Sequence, residues 1–408
     1  MLQIIQELTD KEMKVYSMFD ESIKPSSNIM IAYSGGKDST ALALLFYRWV
    51  KMRKISGLKV TLLHNDTLSE INPMEEWARK FMIKFKSQMK KLGNTVKIKI
   101  ATPPAIDTFY WRAIIRGYPA PSFNFRWCVK LLKVRPTGAM IANANEDGAI
   151  VFTGLRENES NARAMSMKKR YGGCPLGPSK CLAYYFLVKN DKESVKAAPL
   201  RDWSNADVWE FMRNAKDFDI SDLLFLYGCD EARYGCWHCT LAKVQWGFQA
   251  LPKQYLYFDA LRVLYRKISD LPEMRIKKKT GYSKLGPLNA TARSMFLHLL
   301  RIAEDRSGIK LYGMDEAKAD GYTIRELFYE TDARKAMSII LNEDSKIDHK
   351  RVVPMSKIRN LHMHKTIIRR AIPKIKRQSE NHKSRVLAMN RGLDPVDELL
   401  VELESRLK

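Results

Sequence analysis

One run of residues limits the possible folds more than any other: Ile29-Met30-Ile31-Ala32-Tyr33-Ser34-Gly35-Gly36-Lys37-Asp38-Ser39. Five apolar or aromatic residues read as a short buried strand. The stretch from Ser39 to Lys54 has no Gly or Pro and reads as a helix. Between them, Gly35 and Gly36 let the backbone turn sharply and approach a ligand closely. The N–H groups of such a turn, with those of the first helical turn, converge on one spot and favour negative charge. Lys37 adds a cation, and the hydroxyls of Ser34 and Ser39 add donors. Asp38 repels phosphate unless it helps to hold Mg²⁺. The pattern is not the longer loop in which Lys is followed directly by Ser or Thr. Ser34, Gly35, Gly36, Lys37, Asp38 and Ser39 are thus the candidate phosphate-binding residues, with Lys37 and Asp38 the candidate catalytic pair.

The elements around the turn repeat its strand-to-helix rhythm. Further strands are expected at Leu58 to His64, Thr95 to Ile100, Ala149 to Thr153 and Val195 to Leu200. Helices are expected at Pro73 to Leu92 and, amphipathically, over the first two dozen residues. This alternation predicts an α/β fold with a Rossmann-like, mainly parallel sheet and helices on both faces. After Trp209 no clear strand is expected, and the helical stretches are Pro252 to Ile268, Thr291 to Asp305 and Thr323 to Leu341. With 408 residues the chain exceeds one ordinary domain. The expected division is an α/β nucleotide domain over 1–215, a Cys-rich segment over 216–250 and a helical, basic region over 251–408. No apolar run approaches the roughly 20 residues of a membrane helix, and the start has no basic leader, so the expected location is the cytoplasm.

Charge and cysteine spacing supply two further expectations. The formal charge is +25, a surplus that favours polyanionic partners. From Lys346 to Arg391 there are 14 Lys or Arg against two acids, Asp348 and Glu380, the composition of a phosphate-backbone contact surface or of a solvated helical face. Of six cysteines, Cys229, Cys236 and Cys239 fall within eleven residues. Thiols that close point to a metal or redox centre. Three ligands need a fourth, or one position must stay open; four cysteines suit [4Fe–4S] or structural zinc, while His238 would allow a mixed zinc site. Cys174 and Cys181 read as loop residues.

Several segments carry a family resemblance. They are the Ser34–Ser39 turn, Asn65-Asp66-Thr67-Leu68-Ser69-Glu70, Phe125-Arg126-Trp127-Cys128 with Leu132-Lys133, Gly154-Leu155-Arg156-Glu157-Asn158-Glu159-Ser160-Asn161-Ala162-Arg163, Pro199-Leu200-Arg201-Asp202-Trp203-Ser204, and Arg233-Tyr234-Gly235-Cys236-Trp237-His238-Cys239. The turn resembles the signature of the PP-loop (N-type ATP pyrophosphatase) superfamily. The Arg-Trp-Cys and Gly-Cys-Trp-His-Cys segments resemble its PAPS-reductase-like branch, and within it the DndC-type sulfurtransferases of DNA phosphorothioation. The resemblance runs from about Asn28 to about Asp305. It implies ATP with Mg²⁺ at the turn, Cys128 as the fourth member of a Cys128, Cys229, Cys236, Cys239 set, and a [4Fe–4S] cluster ahead of zinc. Asp66, Arg126, Gly154, Arg156 and Arg163 join the turn as nucleotide-binding candidates. Asp66 and Glu70 suit Mg²⁺, a ribose hydroxyl or a helix cap, whereas Asp202-Trp203-Ser204 reads as a cap plus a core Trp.

Three activities follow as expectations. The first is ATP-dependent sulfur transfer: the acceptor is adenylylated, pyrophosphate leaves, and sulfur from a cysteine desulfurase or other donor displaces AMP. The acceptor is expected to be nucleic acid, DNA ahead of tRNA. The second is release of sulfite from PAPS or adenylylsulfate. Reductases of that kind use a cysteine in a C-terminal Glu-Cys-Gly segment, and this sequence has no Glu-Cys-Gly and no cysteine after Cys239. The third is a nucleotide-gated, nucleic-acid-binding subunit without catalysis.

Overall fold

The computed structural model describes residues 2–24, 27–146, 149–159, 165, 185–188, 194–228, 235–241, 244–277, 285–347, 352–390 and 394–408. The sequence suggested cuts near residues 215 and 250. Contacts instead gather the chain into two compact units, each assembled from three stretches. The first comprises Met1–Asp66, Pro73–Ala101 and Arg135–Asp230, and the second Thr67–Asn72, Thr102–Val134 and Glu231–Lys408. Gly235 to Cys239 therefore shares a unit with the C-terminal helices.

The first unit is built on a six-stranded sheet. Its strands are β1 (Asn28–Tyr33), β2 (Lys59–Asn65), β3 (Thr95–Ala101), β4 (Ile150–Thr153), β5 (Tyr185–Val188) and β6 (Ser194–Ala197), in the order β3-β2-β1-β4-β6-β5. All neighbours are parallel except β5, which runs antiparallel to β6. This is the Rossmann-like α/β class read from the alternation. The strand order steps outward from β1 to β3 and then returns to β1's other side with β4. The crevice between the carboxyl ends of β1 and β4 is a topological switch point, where open α/β sheets place their ligands.

Helices cover both faces. α1 (Leu2–Ser22) and α2 (Lys37–Met52) meet around Phe19, whose ring lies 5.6 Å from Phe46 and 5.2 Å edge-on from Phe152. Twelve of the sixteen residues of α2 are buried, so it is a core helix, which fits its apolar run Ala41 to Phe46. α3 (Asn72–Lys91) buries Trp77, Phe81 and Phe85. On the other face, Met140 and Ile141 of α4 (Arg135–Glu146) pack on Met30, Leu63, Ala101 and Val151. Each such large apolar side chain contributes about 1.5–3 kcal/mol on burial. α5 (Asn205–Arg213) starts at Ser204 with a full capping box to Asp207, and Trp203 is buried, as the Asp-Trp-Ser segment suggested. α6 (Ser221–Tyr227) follows and ends at Gly228, whose φ of +56° suits glycine.

The second unit is mainly helical. α7 (Leu256–Asp270) packs on α8 (Ala290–Ser307), where the Tyr265 and Phe296 rings are 4.5 Å apart. Two departures from the sequence reading occur here. Two small antiparallel hairpins appear where no strand was expected, Arg275–Lys277 with Leu285–Leu288 and Lys318–Ala319 with Tyr322–Thr323. The helix expected over Thr323 to Leu341 is two helices, α9 (Ile324–Tyr329) and α10 (Ala333–Glu343), because Asp332 caps the second by accepting from the Arg334 and Lys335 amides. α11 (Lys365–Asn390) and α12 (Pro395–Ser405) complete the unit, both packed on α7.

Candidate nucleotide site and cysteine cluster

The turn after β1 is braced from within. The Ser34 amide donates to Ser39 Oγ at 3.1 Å, the two hydroxyls lie 3.1 Å apart, and Ser39 Oγ donates to the Gly36 carbonyl at 3.0 Å. Gly35 has φ +77°, and a Cβ there would meet Ala78 Cβ at 2.8 Å. Glycine is thus required twice over, by the left-handed backbone and by the approach of α3. Trp77 Nε1 donates to the Gly35 carbonyl at 3.0 Å and fixes the turn from α3.

Asp38 sits between two cations. Lys37 Nζ is 2.9 Å from one of its oxygens and Arg156 Nε 2.7 Å from the other. The three charges sum to one positive, which answers the repulsion that an isolated Asp38 would exert on phosphate. Arg156 is almost fully buried; its Nη1 donates to the Trp203 carbonyl at 3.2 Å and its Nη2 to Asn205 Oδ1 at 3.4 Å, so only its Nε edge faces Asp38. Gly154 stands where β4 passes the first turn of α2, and a Cβ there would meet the Asp38 carbonyl group at 3.0 Å. Beside these residues lies a cavity of about 320 Å³, lined among others by Ser34, Asp38, Ser39, Asn65, Thr153 and Gly154. That is the size and polarity of a small-ligand site.

Two other features of this unit escaped the sequence reading. The Lys37 amide donates to the Tyr227 hydroxyl at 3.2 Å, and nothing near Tyr227 in sequence marks it as a partner of the turn. Behind the turn runs a chain of charges, buried at His64, Glu75 and Asp66 and half-exposed at Arg79. His64 Nδ1 faces the Tyr33 carbonyl and Nε2 faces Glu75, both at 3.0 Å. Glu75 accepts from Arg79 at 2.7 Å, and Arg79 reaches Asp66 at 3.1 Å. Both neighbours of His64 are acceptors, so the imidazolium satisfies both. Burial pushes the His64 pKa down, but the Glu75 carboxylate and the Tyr33 carbonyl outweigh it, and the net shift is upward. Only the Glu75–Arg79 spacing, one helical turn apart, was visible in the sequence. Asp66 is wholly buried and turned to Arg79.

In the second unit, the cysteine segment is organised by aromatic packing. Phe109 is stacked on His238 at 3.7 Å and 7°, and edge-on to Trp237 at 5.2 Å. Burial pushes the His238 pKa down to about 3, so it is neutral. Cys236 is buried, with its sulfur 3.3 Å from Thr67 Oγ1 and 3.8 Å from Glu70 Oε1. Burial pushes its thiol well above the usual range, and likewise raises that of half-buried Cys128. A π-helical turn, Val129–Val134, follows Cys128 and carries Lys133. The Lys133 ammonium lies 3.9 Å from Glu70, and its pKa is raised chiefly by Cys236. Any thiol of the three that ionises meets this cation. Glu70, read beforehand as a Mg²⁺, ribose or capping residue, thus belongs with the cysteines.

Among the described residues, which leave out Cys229 of the expected four-cysteine set, no three of His, Cys, Asp and Glu form a group able to hold a metal ion. Cys236 is turned to Thr67 and Glu70. Cys229, Arg163, Cys174 and Cys181 lie outside the described residues. Arg126 belongs to the second unit, exposed and 5.2 Å above the Phe123 ring.

Residues 28–242, more than half the chain, match the phosphoadenosine phosphosulfate reductase domain. The chain belongs to that family. The match takes in both the Ser34–Ser39 turn and the Cys236–Cys239 segment of this PAPS reductase family member. An uncharacterized protein of Methanocaldococcus jannaschii is 26% identical over 214 residues, 52% of this chain. The chain spans only 36% of that relative's length. Among solved structures, the U34-tRNA thiolase NcsA from Methanococcus maripaludis, with its [4Fe-4S] cluster, is similar at 15% identity and TM-score 0.34. That similarity covers 71% of this chain and 86% of the thiolase chain. Among the described residues, no helix is long and apolar enough to cross a membrane.

Proposed function

We propose that this PAPS reductase family member is an ATP-dependent sulfurtransferase that adenylylates a nucleic-acid acceptor, DNA ahead of tRNA, in the manner of the DndC-type enzymes. The observation that carries this reading is the Ser34–Ser39 turn at the switch point, with Asp38 held between Lys37 and Arg156. An acceptor oxygen attacks the α-phosphorus of ATP, and the bond to pyrophosphate breaks. Sulfide, freed from the persulfide of a cysteine desulfurase or other donor by a thiol reductant that leaves as a disulfide, then attacks the activated centre, and AMP leaves. Lys37 and the turn's N–H groups oppose the charge growing on the departing phosphates. Asp38 is the carboxylate that Mg²⁺ would use. Arg163 is proposed as a further phosphate contact.

Cys128, Cys229, Cys236 and Cys239 are proposed as ligands of a [4Fe–4S] cluster, with zinc as the alternative. A cluster would supply a place to hold sulfur. Lys133 would offset negative charge at these cysteines, and the buried ring of His238 against Phe109 keeps water out.

A second reading, reduction of PAPS with release of sulfite, is favoured by the description of the matching family. One set of assays on anaerobically purified protein separates the two. Pyrophosphate release from ATP, raised by duplex DNA or tRNA and lost in Lys37→Ala, is the expected result. Sulfite from PAPS without ATP turnover would overturn it. A visible iron–sulfur absorption band that Cys236→Ser abolishes is expected, and a colourless, zinc-loaded preparation refutes the cluster.

A further inference from the structure

The basic C-terminal stretch is less free than its composition suggests, and the structure sorts its cations. Arg359 is spent on the carbonyls of Leu327, Phe328 and Thr331. Lys374 pairs with Glu273. Lys383 is buried between Glu380 and Asp397, 2.9 Å from each, which also takes up Glu380, the one acid of α11. The exposed arginines that remain on α11 are Arg369, Arg370, Arg377 and Arg385, and the first three lie within nine positions. Among the described residues none of these three has an ion-pair partner.

The three arginines share the outward side of α11. The inward side is formed by Ile368, Ile372, Ile375 and Ser379, all wholly buried. Arg370 and Arg377 are two helical turns apart, about 10.5 Å along the axis, roughly three phosphate rises of one duplex strand. Arginine's planar fork suits phosphate oxygens, and it is never neutral near pH 7. A membrane surface fits less well, because Ile368, Ile372 and Ile375 are already buried in the core and, among the described side chains of α11, Ile367 alone is an exposed large apolar residue.

We propose that the outer face of α11, through Arg369, Arg370 and Arg377, is the contact surface for the phosphodiester backbone of the nucleic-acid acceptor. The proposal rests on the nucleic-acid reading above and names the surface that serves it. The contact is electrostatic and reads no sequence, so its signature is salt dependence rather than base preference.

The test uses the full chain and the triple variant Arg369→Gln, Arg370→Gln, Arg377→Gln. Binding to duplex DNA and to tRNA is followed by fluorescence anisotropy across a salt series. Each phosphate contact contributes about 0.9 to the slope of log K against log salt for a duplex and about 0.7 for single strands. The variant's slope should therefore fall by roughly two to three, with Kd raised at least about tenfold near 0.1 M salt. The nucleic acid that loses the slope is the one the face binds. Lys86→Gln, Lys90→Gln, Lys91→Gln removes the same charge from exposed positions of α3 and should leave the slope unchanged. An unchanged slope in the arginine variant overturns the proposal. So does an equal fall in the lysine control, or an equal loss of binding to anionic lipid vesicles. ATP binding without nucleic acid, unchanged in the arginine variant, is read in parallel. Its absence from the unaltered protein would sink the proposed function and leave the surface to be judged on its slope.

Discussion

Gly35→Ala offers a test of why the turn has its shape. Two costs add at this position. The backbone φ of +77° is one that a residue with a Cβ adopts at about 1–2 kcal/mol. The new Cβ would also lie 2.8 Å from Ala78 Cβ, closer than real Cβ atoms approach, and overpacking of this sort costs about 1–3 kcal/mol. The expected total is roughly 2–5 kcal/mol. Gly57 separates the two terms. Its φ is +81° but a Cβ there meets nothing within 4 Å, so Gly57→Ala should lose only the backbone part, about 1–2 kcal/mol. Ala78→Gly removes the clash from the other side at about 1 kcal/mol of helix propensity. The double variant Gly35→Ala, Ala78→Gly should recover about 1–3 kcal/mol relative to the sum of the singles. Urea unfolding followed by tryptophan fluorescence gives each value, with the m-value unchanged. ATP affinity should fall in Gly35→Ala and partly return in the double variant, because Trp77 holds the same carbonyl. A strictly additive cycle, or a Gly35→Ala no worse than Gly57→Ala, would refute the reasoning.

Three other predictions concern the same unit. The folded pKa of His64 stands above its ordinary value, so its stabilisation is complete below about pH 6.5 and is lost as pH rises through the folded value. Glu75 is depressed despite its burial, through His64 and then Arg79, so its contribution is present above the ordinary carboxylate range and fades as pH falls. Melting temperature against pH should therefore decline on both sides, and His64→Gln should flatten the alkaline decline; a decline identical to that of the unaltered protein would count against the imidazolium. Tyr227→Phe withdraws the hydroxyl that receives the Lys37 amide, and should cost about 1 kcal/mol in stability while shifting the Kd for ATP; calorimetric titration giving an unaltered Kd would remove Tyr227 from the turn's support. Arg156→Met leaves Asp38 with Lys37 alone and should destabilise by about 3 kcal/mol, with Arg156→Lys recovering part of it in the same denaturation assay.

Much of the first unit was legible because its cues are local. A strand, two glycines and a helix opening on Lys37 are set by neighbours in sequence, and the strand-helix rhythm announced a parallel sheet. Ser204 as a cap needed only its own hydroxyl and Asp207 three residues on. The hairpins after Trp209 were missed because strands of two to four residues carry too little periodicity. The break at Asp332 was missed because an apolar rhythm continues on either side of it.

Partners distant in sequence were beyond reach. Asp38 and Arg156 are 118 positions apart by their numbers, and their 2.7 Å pair exists because β4 was laid beside β1. Glu70 looked like part of the nucleotide set from its place after β2, yet packing turned it to Cys236 and Lys133. The basic tail's charge was plain in the composition, but which arginines remain outward depended on which acids the fold brought to their neighbours. The sequence by itself determined that a phosphate-seeking turn joins a buried strand to a core helix, because strand, glycine turn and helix answer to local backbone energetics. Only the tertiary structure decided what surrounds Asp38, where Glu70 serves and which cations stay exposed, because burial and ion pairing are settled by contacts between segments far apart in the chain.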